Sequence, residues 1–461
     1  MKKTFLLFAL TLVISLFTAC SDDSISISDN SQKGVARYTM ILYGYFSGNG
    51  DFNFEGTMRN IQLSLKNKDD VRVLVVYKYG GGVNFSGELA YPGQLLFFEL
   101  TKDTDLSKLM DKSAIVEDSV KLYDPDFISS VINYAHDSLP AQEYVFSIFS
   151  HGAGYDFLAD LPKSERNKSK VLAKQTTVKA MVFDEWNPVG GYSAENLTMK
   201  ELAKGIEKSK IQHFKALYFH NCLTGNMEEL TEIYSYADYL LASEHSLYLL
   251  TGEMLASVVD ALTEGGNEDF EEVIKTAFES NETKVVWKRH YIENGFNGDV
   301  QFIRTDKFAD LNPIFKKLSK RLVELYADKS NRSAIDKAAD KTYMMSPNNP
   351  LYDARDYAHK VAEKTKDKTL KSIAKELDEA FDAMFVTRAL EAHYKEDAPL
   401  DHFSLSITLV DNVTYNEKMP YFNRTNRESY ELTTFHKETG WGKWLNVNAH
   451  KPEGNPLGQL E

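Results

Sequence analysis

VRVLVVYKYG, residues 71–80, constrains this chain more than any other stretch. An apolar run with no polar alternation marks a strand buried on both faces, so further layers must cover it on each side. ARYTMILYGY (36–45), GQLLFFEL (93–100), EYVFSIFS (143–150), FKALYFHN (214–221) and YADYLLASEH (236–245) are likewise rich in β-branched and aromatic residues and read as strands. Helical spacing falls between them, at 54–67, at 124–139 and at 197–209. In the second of these, Asp124 is placed to cap and Pro125 stands at the first position. In the third, Leu197, Leu202 and Ile206 share a side. Strand, helix and strand repeated in this way predict an α/β fold with a mostly parallel central sheet. Such sheets place their ligand sites beyond the C-terminal ends of the strands. His151 and Cys222 each come directly after a buried strand. The architecture therefore brings them to one edge although they are distant in sequence.

The N-terminus is a separate module. Lys2 and Lys3 precede an apolar core from Phe5 to Phe17, too short for a membrane span, which ends in Thr18, Ala19 and Cys20. This is the layout of a bacterial lipoprotein signal, with plain secretion as the alternative. Cys20 is the expected lipidation site and would tie the protein to a membrane. The polar SDDSISISDNSQKG that follows reads as a flexible tether over 21–35. Ser21 rather than aspartate after Cys20 favours an outer-membrane destination. The Asp22–Asp23 pair resembles surface-export signals, so an extracytoplasmic, cell-surface location is expected. Lys+Arg 53 against Asp+Glu 67 gives a net charge of −14, which argues against a nucleic-acid partner.

Downstream the character changes. Residues 306–395 are charge-rich and helix-periodic throughout, and read as a helical subdomain or insertion over 306–400. HFSLSITLVDN (402–412) returns to strand character, and a tail bearing Trp441 and Trp444 closes the chain. The expected division is a signal peptide (1–20), the tether (21–35), a main domain (36–305), the helical segment (306–400), and a C-terminal strand and aromatic tail packing back on the core (401–461).

With Cys20 consumed by lipid, Cys222 is the one cysteine left in the mature chain, either a small core residue or a reactive thiol. A cysteine peptidase needs a thiolate, an imidazole and backbone N–H donors for the oxyanion. Cys222 stands at the head of the predicted helix LTGNMEELTEIYSY, where the helix dipole would favour a thiolate. His151 is followed by Gly152-Ala153-Gly154, a turn that permits close backbone approach. The N–H groups of Gly152 and Cys222 are the oxyanion candidates. A metal reading of His151, His220 and Cys222 lacks a fourth ligand or a CxxC pair.

These pieces resemble the clostripain family. The resemblance is carried by ILYGYFSGNGDFNFEGTMRNI, by SIFSHGAGYDF with its histidine, by MVFDEWNPVGGYSAENLTMKELAKGI, by KALYFHNCLTGNMEEL with its cysteine, by YADYLLASEHSLYLLTGEML, and by FSLSITLVDN with the tryptophan-bearing tail. It implies a caspase-like α/β/α sandwich with a mostly parallel central sheet, plus a helical C-terminal subdomain. It also implies a cysteine endopeptidase acting on proteins or peptides, with Cys222 as nucleophile and His151 as the group that manages protons. The family usually carries an aspartate two residues before the cysteine, pairing with substrate Arg or Lys. His220 stands there, so the preference for basic residues is in doubt. His220, Ser243 and Glu244 are the substrate-binding candidates, Glu244 as a substitute charge. Lys163, Arg166 and Lys168 offer processing sites in a basic loop at 160–174, which is otherwise a solvated charge run. No cofactor is required by this reading. Calcium is left open by the resemblance, although no D-x-D-x-D-G loop is present. A monomer is expected. The competing reading is a non-catalytic surface lipoprotein that binds peptides on a peptidase fold.

Overall fold

A computed structural model describes residues 34–46, 49–65, 70–79, 94–108, 113–115, 120–152, 181–185, 193–245, 251–264, 269–280, 298–346, 349–391, 404–409, 430–448, 450 and 455–456. The signal, most of the tether, Cys20 and the loop carrying Lys163, Arg166 and Lys168 lie outside the described residues. Among those described, no helix is long and apolar enough to cross a membrane.

The centre is a nine-stranded sheet. Five of its strands run parallel in the order β10 (Ala237–Ala242), β9 (Phe214–His220), β5 (Ala141–Phe149), β1 (Ala36–Phe46), β2 (Val71–Tyr79). Antiparallel strands extend both edges: β3 (Gln94–Leu100) and β4 (Ser113–Ile115) beyond β2, and β11 (Gly298–Arg304) and β14 (Phe385–Glu391) beyond β10. The near-continuous apolar run at 71–79 now has its reason. Leu74 and Val76 point into one core, and Val73, Val75 and Tyr77 into the other. β1 divides its side chains the same way, with Ile41 and Tyr43 on one face and Met40 and Leu42 on the opposite face.

Helix α1 (Asn49–Ser64), α5 (Thr251–Glu264) and α6 (Phe270–Glu279) cover one face through Phe54, Met58, Leu255, Val259, Phe270 and Ile274. The other face receives α2 (Pro125–Ser138), α3 (Met199–Glu207) and α4 (Met227–Ile233). Asp124 caps α2, accepting from the Asp126 N–H, with Pro125 behind it. Thr198 and Glu201 close a capping box on α3, which stabilises such a helix by about 1 kcal/mol.

The helical segment consists of α7 (Thr305–Phe308), α8 (Leu311–Ala327), α9 (Lys329–Lys341), α10 (Ala354–Thr365) and α11 (Lys368–Met384). It shares the core of the second face: Phe315, Leu318, Tyr357 and Phe381 belong to the same apolar cluster as Ile128 and Leu230. Helical periodicity predicts helix throughout this region, and the chain departs from that in two places. α11 stops at Met384, and FVTRALE becomes β14, whose β-branched and aromatic start pairs with β11. A hairpin of β12 (Tyr343–Ser346) and β13 (Asn349–Asp353) interrupts the helices and forms a small sheet with β15 (Ser406–Thr408) and β16 (Asn455–Pro456). Two closing helices, α12 (Thr434–Thr439) and α13 (Trp441–Val447), bury Trp441 and Trp444 completely, packed on Phe315 and Tyr326 of α8.

Candidate active site

β5 and β9 are adjacent and parallel, and their last paired residues are Phe149 and His220. One residue further on, the Asn221 side-chain amide donates to the Ser150 carbonyl at 2.9 Å and ties the two strand ends together. His151 and Cys222 follow, at the C-terminal edge of the sheet. The backbone of His151 and Gly152 forms β6, paired antiparallel with β7 (Met181–Glu185), which pairs in turn with β8 (Ser193–Leu197).

Gly152 lies directly on the cysteine backbone. A Cβ built there would stand 2.0 Å from the Cys222 carbonyl oxygen, 2.8 Å from the Cys222 nitrogen and 2.9 Å from Asn221 Cβ. Only glycine fits such an approach. Cys222 is half-buried, and its side chain packs against Leu223, Tyr343, Met345 and Leu351 on one side and the α1/α5 core on the other.

The turn after Cys222 is held from below. Leu223 adopts φ +60°, unusual for a branched side chain, and its N–H donates to the His245 carbonyl at 2.9 Å. Gly225 N–H donates to the Ser243 carbonyl at 2.7 Å, and the Gly225 carbonyl accepts from Ser406 N–H at 2.9 Å. The turn after Cys222 is thus clamped between the end of β10 and the start of β15. The helix predicted to begin at the cysteine begins at Met227, with Asn226 as its cap. Leu223, Thr224 and Gly225 intervene, so the dipole argument made for Cys222 from the sequence does not hold. The cause is local: the Thr224 hydroxyl donates to the Asn221 carbonyl and the Asn226 amide to the Leu223 carbonyl, closing a compact turn before any helix can start.

The substrate-binding candidates sit deeper than their positions in sequence suggest. His220 is buried and stacked on Phe149, ring centroids 4.1 Å apart and planes 6° apart. Among the described residues neither ring nitrogen has a hydrogen-bond partner, and burial drives its pKa down to about 3, so the ring is neutral. Ser243 is fully buried, with its Oγ 2.9 Å from Asp299 Oδ1. Glu244 is fully buried as well. Burial first, then the neighbouring Asp353 and Asp299, push its carboxyl well above the usual range. It is therefore no exposed substitute for the missing aspartate. β10 ends at Ala242, earlier than the predicted 236–245 strand, and this lets residues 243–245 turn under the cysteine.

Sequence reasoning missed what holds this turn. Asp299, buried in β11, accepts from the backbone N–H of His245 at 3.0 Å and from Gln301 Nε2 at 2.8 Å, and its Oδ1 is 2.7 Å from His245 Nδ1. Burial works against ionisation there, but His245 and the loop donors hold the carboxyl below its ordinary value. Glu228, on α4, is also fully buried. Its Oε1 accepts from the Thr408 N–H at 3.0 Å and the Tyr430 hydroxyl at 2.7 Å, which joins the helix after Cys222 to the C-terminal tail. No spacing in the sequence reveals partners this remote.

The sequence model of the clostripain family matches residues 51–446. Solved structures share the fold, three of them as follows. A secreted C11 cysteine protease from Bacteroides thetaiotaomicron aligns at 16% identity with TM-score 0.54, covering 88% of this chain and 100% of its own. An inactive zymogen C11 protease from Parabacteroides distasonis aligns at 14% identity and TM-score 0.54, over 88% of this chain and 99% of its own. A secreted C11 cysteine protease from Bacteroides thetaiotaomicron, in complex with an irreversible peptide inhibitor, aligns at 13% identity and TM-score 0.53, over 88% and 99%. No curated protein sequence matches the chain.

Proposed function

Since the chain belongs to the clostripain family of cysteine peptidases, we propose that it is an extracytoplasmic endopeptidase with Cys222 as nucleophile and His151 as its proton-transfer partner. The observation that carries this reading is the seating of Gly152 on the Cys222 backbone at the ends of adjacent parallel strands. That contact keeps the histidine segment in register with the nucleophile.

In the proposed reaction, His151 takes the thiol proton of Cys222 as Sγ attacks the scissile carbonyl and forms a C–S bond. The tetrahedral oxyanion is met by the N–H groups of Gly152 and Cys222. The intermediate collapses as His151 protonates the leaving amine, giving a thioester. Water, deprotonated by His151, then attacks the thioester carbon, and the C–S bond breaks to release the acid and restore the thiol.

In the same reading, the residue before the scissile bond is uncharged. His220, one pleat behind Cys222, is neutral at any physiological pH and offers a flat ring stacked on Phe149 in place of a carboxylate. Ser243 and Glu244 act beneath the site by shaping the loop that supports the nucleophile turn. Peptide substrates fit this assignment, and so does a lipid anchor on Cys20 at the outer membrane. The test is turnover of a fluorogenic peptide library, varied before the scissile bond, by the wild type and Cys222→Ala. Turnover lost in the mutant, with uncharged residues preferred, is expected. Absence of turnover together with absence of labelling by a thiol-reactive peptide probe would favour the peptide-binding alternative.

A further inference from the structure

Beneath the nucleophile turn, Glu244, His245 and Asp299 each offer a donor atom, all within 4.8 Å of one another. All are buried: Glu244 and Asp299 are 0% exposed and His245 is 3% exposed. Among the described residues neither oxygen of Glu244 has a well-formed hydrogen bond, although the Gln301 side chain lies beside it and works to lower its pKa. A carboxylate removed from water without partners costs several kcal/mol or more, so something must compensate it or neutralise it. The surroundings add negative charge, because Asp353 is also fully buried and acts on Glu244 together with Asp299. Arg388 is the cation that opposes them.

We propose that Glu244, His245 and Asp299 form a binding site for one divalent transition-metal ion of the Zn²⁺ type, distinct from the peptidase centre. One imidazole with two carboxylates suits Zn²⁺, Co²⁺ or Mn²⁺, whereas Ca²⁺ takes six to eight oxygens and avoids imidazole. Tetrahedral donors about 2.1 Å from a common ion stand about 3.4 Å apart. The 2.7 Å between His245 Nδ1 and Asp299 Oδ1 is a hydrogen-bond distance, so these two atoms would separate by about 0.7 Å to admit the ion. Metal binding replaces the proton shared there, which leaves to solvent, and Nε2–H then donates to the Tyr343 hydroxyl, 2.5 Å away. That bond orients the ring as the outer partner of a metal-bound histidine does. The ion would stiffen the loop whose carbonyls, from Ser243 and His245, hold the N–H groups of Gly225 and Leu223.

The rival explanation is a neutral Glu244 whose O–H points to Gln301 Oε1, an atom that also lacks a partner. The two are separated in the Cys222→Ala protein, which removes the thiol as a competing ligand. After chelator treatment, Co²⁺ is added and followed by its d–d absorption, and Zn²⁺ by the thermal midpoint. One equivalent of Co²⁺ and a Zn²⁺-dependent rise that saturates at one equivalent are expected, both lost in Glu244→Gln. X-ray absorption of the Zn²⁺-loaded Cys222→Ala protein, which needs no second variant, should show one imidazole and otherwise oxygen. Several imidazoles, no binding, stabilisation by Ca²⁺ alone, or unchanged binding in Glu244→Gln would overturn the assignment.

Discussion

Gly152→Ala is the sharpest single perturbation the site allows. The added Cβ would sit 2.0 Å from the Cys222 carbonyl oxygen and 2.8 Å from its nitrogen. Ordinary contact needs more than 3 Å, so one of the two backbones must move by about 1 Å. Both belong to strand ends tied together by the amide of Asn221, and no flexible side chain can absorb the displacement. Overpacking of this kind costs roughly 1–3 kcal/mol in stability. A 1 Å misplacement of reacting groups costs on the order of 100-fold in rate. The expected result is a fall in kcat/KM of about 100-fold, with the fold retained by circular dichroism. Gly205→Ala is the control: its Cβ meets the Ile128 side chain at 2.6 Å, far from the dyad, so it should lower Tm and leave kcat/KM nearly intact. Gly152→Ala with activity within threefold of wild type and unchanged Tm would refute the close seating of the histidine segment on the cysteine.

Other consequences follow from the buried groups. His220 is held to about 3 in the fold against 6.5 unfolded, so the unfolded chain takes up its proton first. Stability is therefore undiminished above about 6.5 and falls as pH drops from there towards 3, by at most about 5 kcal/mol at ~1.4 kcal/mol per pH unit. His220→Phe, which keeps the stack on Phe149, should flatten that acid limb in denaturant titrations; an identical limb would show that His220 is not buried neutral. Glu228→Ala leaves the Thr408 N–H and the Tyr430 hydroxyl without their acceptor and should destabilise by roughly 3 kcal/mol, read from the urea midpoint. A loss below about 0.5 kcal/mol would mean that the tail is not held through this carboxylate. Cys20→Ser should abolish incorporation of a clickable fatty acid and shift the protein from the membrane to the soluble fraction; continued labelling would sink the anchor assignment.

The parts of the fold visible in the sequence are those fixed by short-range pattern. Double-sided burial of 71–79 requires an apolar residue at nearly every position, and the runs ending before His151 and Cys222 are as plain. The parts not visible depend on partners far away in the chain. FVTRALE looks like a continuation of the preceding helix until β11 is there to pair with it. Asp299, among polar neighbours, carries no local mark of its role under a loop that ends at His245. From sequence alone the turn Leu223–Gly225 reads as helix, because the residues after it are good helix formers. The left-handed Leu223 and the bond from its N–H to His245 decide otherwise, and neither follows from helical spacing. The resemblance to the clostripain family points to Cys222 and His151; only the side-chain packing reveals that His220 is buried and neutral and that Glu244 is buried.

Whether Cys222 is the nucleophile of a working peptidase is tested by intact mass after incubation with a peptidyl acyloxymethyl ketone carrying an uncharged residue at the reactive end, on the wild type, His151→Ala and Cys222→Ala. One adduct on the wild type, mapped to Cys222, is expected, with strongly slowed labelling in His151→Ala and none in Cys222→Ala. Equal labelling of the wild type and His151→Ala, or no adduct on the wild type while the same probe labels an active cysteine peptidase, would contradict that role.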